Sequence, residues 1–405
     1  MERFTGIIGI AVLIGIAVLM SNNRKKINLR LVFWGFALQI GFALFILKTP
    51  VGLPFFDFFD ELIKSLLAFS DAGGDFLFAS FVTNSVETPL LNFAVRVLPT
   101  IIFFSSLIAV FYHLGIMQFI VKWLAKGVQK TMGTSGSETL SVVGSIFVGQ
   151  TEAPLLVRPY VNGMTKSELM TIMVGGFATV AGGVMAIYVA MLSDIPGIAG
   201  HLMAASIMSA PAAIVIAKIM YPETEESETK GTLKVNIEKN SENVMEALGD
   251  GAVDGMKLAA NIAAMLIAFV AMVAMVDGLL GYAGTSLADV FGFIFRPLAW
   301  AMGAPWEEAG TLGTLLGEKI ALTELIAYKD LGEIRAGEGL SDRTSIIASY
   351  ALCGFANFAS IGIQLGGIGG IAPNRKKDLA RLALKAMVGG ALASWITASI
   401  AGIMI

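Results

Sequence analysis

The stretch "VGQTEAPLLVRP" at residues 148–159 decides how this chain folds. It sets Gln150, Thr151 and Glu152 between Gly149 and Pro154, inside an otherwise apolar segment. A carboxylate at membrane depth costs ~2.5–3.5 kcal/mol on insertion scales, so such a group is retained for what it does. Upstream, Ser135 and Glu138 have the spacing of a capping box. The segment 135–160 breaks at Gly149 and resumes after Pro154, a residue suited to the first turn of a new helix. Two half-helices of ~11 residues reach only ~16 Å, about half of a ~30 Å hydrocarbon layer. The pattern predicts a re-entrant hairpin. A second such segment, "AGTLGTLLGEKIALTELIAYK" at 309–329, carries Gly310, Gly313, Gly317 and an internal Glu324.

Composition puts these breaks in a membrane. The 405 residues are 56% hydrophobic and 15% charged, with mean hydropathy +0.75; soluble domains carry about 25% charged residues. Apolar runs recur at 4–20, 31–47, 97–112, 169–193, 202–217, 258–276, 345–374 and 386–405. This predicts an all-α polytopic membrane protein with about eight transmembrane helices and two re-entrant hairpins. The first run follows only Glu2 and Arg3 and ends without a small-residue cleavage site, so it reads as a retained signal-anchor helix. Cys353 is the sole cysteine, and His113 and His201 stand far apart, which leaves no thiolate cluster or histidine metal motif. A net charge of −3 spread over loops argues against nucleic acid as a partner.

The basic clusters Arg24, Lys25, Lys26, Arg30 and Arg375, Lys376, Lys377, Arg381, Lys385 are expected on the cytoplasmic side, with both termini outside. The segment 49–96 is then external, and its charges (Asp57, Asp60, Glu61, Asp71, Asp75, Glu87) are mostly acidic. The polar stretch 221–246 reads as a solvated cytoplasmic linker between two halves. Lys122, Lys126 and Lys130 in 118–133 mark an amphipathic helix expected at the cytoplasmic surface of the membrane.

The pattern repeats. "GGFATVAGG" (175–183) follows the first hairpin and "CGFANFASIG" (353–362) the second, so Gly-Phe-Ala precedes Thr179 in one copy and Asn357 in the other. Paired interrupted segments in corresponding halves point to a transporter site at the midplane. Glu152 and Glu324 supply strong acceptors for hydroxyl hydrogens; Gln150 and Asn357 offer donor and acceptor together. Thr151 and Ser360 add hydroxyls, and Phe355 a flat face for stacking. The set suits a neutral, hydroxyl-bearing ring compound, and no Walker motif is present for phosphate. Core packing serves Phe355 and Val184 equally well, and a bond to the i−4 carbonyl is an alternative for Ser360 and Thr179. Glu318 and Lys319 either pair or face the lumen, and Glu307 and Glu308 are expected to begin a surface helix.

Together "GSIFVGQTEAPLLVRPY", "FATVAGGV" and "ALCGFANFASIGIQLGGIGGIAP" resemble the concentrative nucleoside transporter family, and the resemblance runs nearly end to end. It implies a homotrimer of protomers with eight membrane helices and oppositely oriented hairpins in an inverted repeat, a scaffold subdomain holding the trimer while a transport subdomain moves as an elevator. The division it implies is 1–117 scaffold helices, 118–220 first transport repeat, 221–256 cytoplasmic linker, 257–284 long scaffold helix and 285–405 second transport repeat. Base recognition falls to Gln150, Thr151, Glu152 and Phe355, ribose recognition to Glu324, Asn357 and Ser360, and Val184 adds a contact from the fourth helix. The family's sodium site maps to Ser145, the Val148 carbonyl, Thr179 and the Val180 carbonyl. Sodium-coupled members carry Asn where this chain has Ser145, and hairpin two reads Thr323-Glu324-Leu325 in place of Asn-Glu-Phe. Loss of an amide oxygen weakens a small oxygen-ligand site, which leaves Na⁺ and H⁺ both open as coupling ions.

The expectation is therefore secondary active uptake of nucleosides across a bacterial inner membrane, with no cofactor and no covalent chemistry. Rivals are transport of nucleobases or another ribosylated compound, a passive channel, and an intramembrane enzyme using Glu152 or Glu324 as a base. The last lacks a nucleophile–His pair, HExxH or a metal-binding cluster.

Overall fold

The computed structural model describes residues 2–50, 52, 54–64, 98–230, 241–337 and 339–405, with backbone alone at 2–4, 98, 261–275 and 277–279. Asp71, Asp75 and Glu87 of the expected external segment, and linker residues 231–240, lie outside them. Helices α1 (Glu2–Leu19) and α2 (Leu29–Lys48) come first, then α3 (54–64). Next are α4 (Leu98–His113) and α5 (Ile116–Met132). Hairpin one follows: α6 (Gly136–Gly144), a turn through 145–152, the 3-10 helix Ala153–Val157 and a last turn Arg158–Val161.

Helices α7 (Lys166–Ala178) and α8 (Gly182–Met191) form one interrupted span, followed by α9 (Ile198–Met220). The second half runs α10 (Val244–Gly281) and α11 (Leu287–Ala301), then hairpin two as α12 (Trp306–Ala321) and α13 (Glu324–Ala336). A second interrupted span, α14 (Asp342–Leu352) and α15 (Phe358–Ile371), leads to α16 (Lys376–Met404).

Helix starts obey local chemistry. Ser135 and Glu138 cap α6, Thr165 and Glu168 cap α7, and Ser286 and Asp289 cap α11, each as a reciprocal capping box. In hairpin one the second arm is mostly 3-10 helix, not the expected half-helix. Pro154 and Pro159 remove two backbone donors within two turns, which starves an α-helical ladder. Hairpin two is longer than the expected 309–329, because Pro305 and Gly337 rather than internal glycines delimit its arms.

Four stretches are long and apolar enough to cross a bilayer: α2, Lys166–Met191, α9 and Pro373–Met404; α4 with α5 and α11 with α12 form pairs bent by 76° and 118°. Each hairpin is thus entered from a sharply turned helix, so the repeat unit is larger than the sequence motif. About nine-tenths of α9 and of Lys166–Met191 is buried in protein, against 28% of α2. Helices α7, α9 and α16 pack together at the centre, with α1 against α16 and α2 against α9. The α5 helix buries Met117, Val121, Ala125, Val128 and Met132 and exposes its lysines with Phe119 and Trp123, the amphipathic face expected of it.

Lipid offers no hydrophobic drive between helices, so close backbone approach carries the packing. Gly251 and Gly255, spaced as GxxxG on α10, bring α4 so near that an added Cβ would lie 2.7 Å from the Ser106 Cα and 2.8 Å from the Ile102 Cα. The long helix therefore begins at Val244, inside the expected linker, where Asn243 caps the Glu246 amide at 2.9 Å.

Within 221–230, Thr224, Glu225, Glu226, Glu228 and Lys230 are exposed, while Pro222 and Thr229 are buried against the protein. The buried Lys218 ammonium pairs with Glu138 at 2.7 Å and Glu223 at 3.4 Å. Ser227 donates to Glu168 at 2.6 Å, and Thr229 meets Ser137 at 2.8 Å. The linker thereby ties the start of hairpin one to the start of α7 and the end of α9. Asn22 bonds the Met220 carbonyl and Arg375 the Asn162 carbonyl at this same end, which gathers both basic clusters. The chain termini meet at the other end, where Gly6 lies against Ile403.

Candidate functional site

Four helix breaks meet in the middle of the bundle, at 145–152, 179–181, 322–323 and 353–357. The two interrupted spans cross at their breaks. Gly354, at φ +109°, sits where a Cβ would lie 2.6 Å from the Phe177 carbonyl oxygen. Interrupted backbone at this depth persists only inside protein or around a cavity. Among the described residues, no acceptor meets the amides of Gln150, Thr151 and Glu152 at the tip of hairpin one.

Glu324 is the first helical residue of α13, behind the Thr323 cap, so its charge lies at a helix N-terminus. It is buried, and both oxygens are held: the Tyr188 hydroxyl donates to Oε1 at 2.8 Å and Asn357 Nδ2 to Oε2 at 2.6 Å. Asn357 caps α15, its Oδ1 accepting from the Ser360 amide at 2.8 Å. Gln150 Nε2 donates to Ser360 Oγ at 3.1 Å, and Gln364 Nε2 donates at 3.1 Å to both Gln150 Oε1 and the Met173 carbonyl. Hydrogen bonds thus run unbroken from hairpin two through the second interrupted span to hairpin one. Gly176 makes room for it, since a Cβ there would sit 2.8 Å from Gln364 Nε2 and 3.0 Å from the Gln150 Cβ.

Of the expected site residues, Gln150, Glu324, Asn357 and Ser360 are joined in this network. Thr151 is half-buried beside them, its methyl against Gly367. Glu152 stands apart: it is exposed, folds back over Gly149, and takes no part in the network. Val184 and Phe355 both pack on the hydrophobic core. The cation candidates also lie together. Ser145 Oγ donates to the Val142 carbonyl at 2.7 Å and lies 3.4 Å from the Gly175 carbonyl, to which Thr179 Oγ1 donates at 2.9 Å. Thr179 therefore makes the i−4 bond foreseen as an alternative. Val148 and Val180 are buried, and no described hydrogen bond ends on either carbonyl. Two hydroxyls and two such carbonyls at adjoining breaks are the hard oxygen donors a small cation takes.

Three participants escape the motif reading. Tyr188 lies one turn beyond Val184, and Gln364 one turn beyond Ser360; a lone amide inside "SIGIQLGG" was the available signal. Lys319 pairs with neither Glu318 nor the lumen: fully buried, it donates to the Ala351 carbonyl at 2.9 Å and the Cys353 carbonyl at 3.2 Å, at the C-terminal end of α14. Glu324 makes no ion pair among the described residues; its charge is answered by the Tyr188 hydroxyl, the Asn357 amide and the helix N-terminus, with the buried Lys319 ammonium acting on it from further off. As expected, Glu307 and Glu308 lie in the first turn of α12, Glu308 accepting from Ser341 Oγ at 2.8 Å.

Comparison with known proteins gives the relatives of this chain. Residues 8–81 and 201–402 match the N-terminal and C-terminal profiles described as Na⁺ dependent nucleoside transporter, and 94–195 a profile described as nucleoside recognition. An uncharacterized transporter of Haemophilus influenzae is 45% identical over all of this chain and 98% of its own. Human sodium/nucleoside cotransporter 1 is 39% identical over the whole chain, which spans 64% of the human protein. Among solved structures, CNTnw in an inward-facing substrate-bound state aligns with TM-score 0.90 at 41% identity, covering 100% of this chain and 98% of that one. A CNTnw variant in an outward-facing state gives 0.92 at 42% identity, covering 100% and 99%.

Proposed function

Because this chain belongs to the Na⁺ dependent nucleoside transporter family, and is thus a multi-pass membrane transporter rather than an enzyme, we propose that it carries nucleosides into the cell by cation symport. The observation that carries this reading is the continuous network from Glu324 through Asn357 and Ser360 to Gln150. It sets a buried carboxylate, able to accept from two hydroxyls, at one end and a primary amide at the other. A ribose offers such hydroxyls and a base edge answers such an amide.

In this proposal Glu324, Asn357 and Ser360 take the ribose, and Gln150, Thr151, Glu152 and Phe355 take the base, with Val184 as a wall. The coupling ion is Na⁺ or H⁺; the Na⁺ reading uses Ser145, Thr179 and the carbonyls of Val148 and Val180. Coupling requires the cation and the nucleoside to strengthen each other's binding, by reciprocal linkage.

The moving part in an elevator cycle is the buried bundle that holds the hairpins, and the scaffold comprises the α4–α10 pair and its neighbours in a homotrimer of the bacterial inner membrane. The end bearing both basic clusters faces the cytoplasm and both termini lie outside. A relative solved in inward-facing and outward-facing states supports alternating access.

The test is uptake of labelled uridine into proteoliposomes with Na⁺ and pH gradients imposed independently. One of the two gradients is expected to drive saturable accumulation of unaltered uridine. Equal uptake without any gradient, or without saturation, would replace the symporter with a passive channel.

A further inference from the structure

We propose that Gln364 determines base specificity by setting which face of the Gln150 amide meets the cargo; this rests on the nucleoside reading above. The side chain lies on α15, fully buried, one turn beyond Ser360. Its orientation follows from one partner that admits no choice. The Met173 carbonyl can only accept, so the group within 3.1 Å of it is the Gln364 NH₂ and not its oxygen. The second hydrogen of that NH₂ then points to Gln150, 3.1 Å away, and the Gln150 atom facing it is Oε1.

It follows that Gln150 turns its NH₂ to Ser360, whose Oγ accepts one hydrogen at 3.1 Å, and keeps the other hydrogen of that group for the cargo. A reversed Gln364 would set oxygen against the oxygens of Met173 and Gln150 at once. The orientation persists although it leaves Gln364 Oε1 buried without a partner among the described residues, a condition that costs about 1–3 kcal/mol. Asn357 is pinned in the same manner at the other end. Its Oδ1 accepts from the Ser360 amide, so its NH₂ faces Glu324. The site is therefore polarised along its length. Hairpin one turns the Gln150 NH₂ toward the base, and hairpin two holds the Glu324 carboxylate, backed by the Asn357 NH₂, toward the ribose.

Gly176 is part of the device, because any side chain there would press on the Gln364 amide and on the Gln150 Cβ. Gln364 acts through Gln150 and is a positioning residue. The ligand class it selects is a nucleoside whose base edge presents an acceptor, a carbonyl oxygen or unprotonated ring nitrogen, to the Gln150 NH₂. A nucleoside lacking that acceptor leaves a buried donor unpaired and is rejected.

The test compares equilibrium binding to the purified, reconstituted protein of matched pairs. Uridine is set against 2-pyridone riboside, which lacks both the 4-carbonyl and the ring nitrogen at position 3, and adenosine against 3-deazaadenosine. Uridine against 3′-deoxyuridine serves as the ribose control. In the native protein at least one base pair is expected to differ about ten-fold or more. Gln364→Met removes the NH₂ that orients Gln150 and should reduce that ratio to about two-fold or less, leaving the ribose ratio unchanged. Gln364→Glu keeps the shape but turns acceptors toward Gln150, so the Gln150 NH₂ swings away from the cargo and the ratio should again collapse; it serves if the Met variant fails to fold.

Base ratios in a folded variant that equal the native ones, or no base discrimination in the native protein, would overturn the relay while leaving nucleoside binding intact. A native protein that binds none of these compounds would instead overturn the functional reading on which the relay rests.

Discussion

Glu324→Gln is expected to cut uridine uptake by roughly a hundred-fold or more while the protein still purifies folded, in the same assembly state as the native protein. A glutamine fits the same two neighbours. Its carbonyl accepts from Asn357, and its NH₂ donates to the Tyr188 hydroxyl, which can accept as readily as it now donates to the carboxylate. The local structure is therefore retained. What disappears is the negative charge and the remaining acceptor capacity that two sugar hydroxyls would use. Hydrogen bonds to a charged group contribute about 1.5–3 kcal/mol each, so losing two weakens binding by at least about 3 kcal/mol, or two orders of magnitude. Uptake and oligomeric state measured on the same preparation decide the matter. Transport at native rates would remove Glu324 from the cargo site.

The second large effect is on the fold. Gly354→Ala should destabilise the protein by about 2–6 kcal/mol, the sum of backbone strain at positive φ and an overpacked contact. At φ +109° an L-residue is strained, and its Cβ would lie 2.6 Å from the Phe177 carbonyl oxygen and 2.7 Å from the Ala178 carbonyl carbon. Both interrupted spans would have to part, taking Asn357 away from Glu324. The control is Gly366→Ala on α15, where nothing lies within 4 Å of the added carbon. Thermal unfolding in detergent should separate the two variants widely. Equal stability would mean that the spans do not cross at Gly354.

Much of this arrangement was legible in the residues. The breaks at Gly149 and after Pro154, and the repeated Gly-Phe-Ala-polar motif, announced interrupted helices, because proline and glycine act locally and leave their mark in sequence. The joining of Gln150, Glu324, Asn357 and Ser360 was anticipated because polar groups in an apolar run have few other purposes.

What escaped has a physical reason in each case. Tyr188 and Gln364 look like ordinary members of apolar runs, and their roles arise only when two distant helices cross. The linker reads as solvated because its residues are charged, and many of them are exposed, yet Glu223 is drawn onto the buried Lys218 near the end of α9, a pairing that composition does not reveal. The unequal arms of hairpin one follow from two prolines acting together, which a break-by-break reading treats singly. Glu152 is the converse: its sequence neighbours are those of the site, but the tip turns its carboxylate back over Gly149 and away from the network.

The account stands on cargo lying between the two hairpin tips, and a structure of the reconstituted protein with uridine tests it most directly. The sugar hydroxyls should lie within hydrogen-bonding distance of Glu324 and Asn357, with the base against Gln150 and Thr151. Uridine bound elsewhere, with the Glu324–Asn357–Ser360–Gln150 chain closed and solvent-free beneath it, would contradict the account.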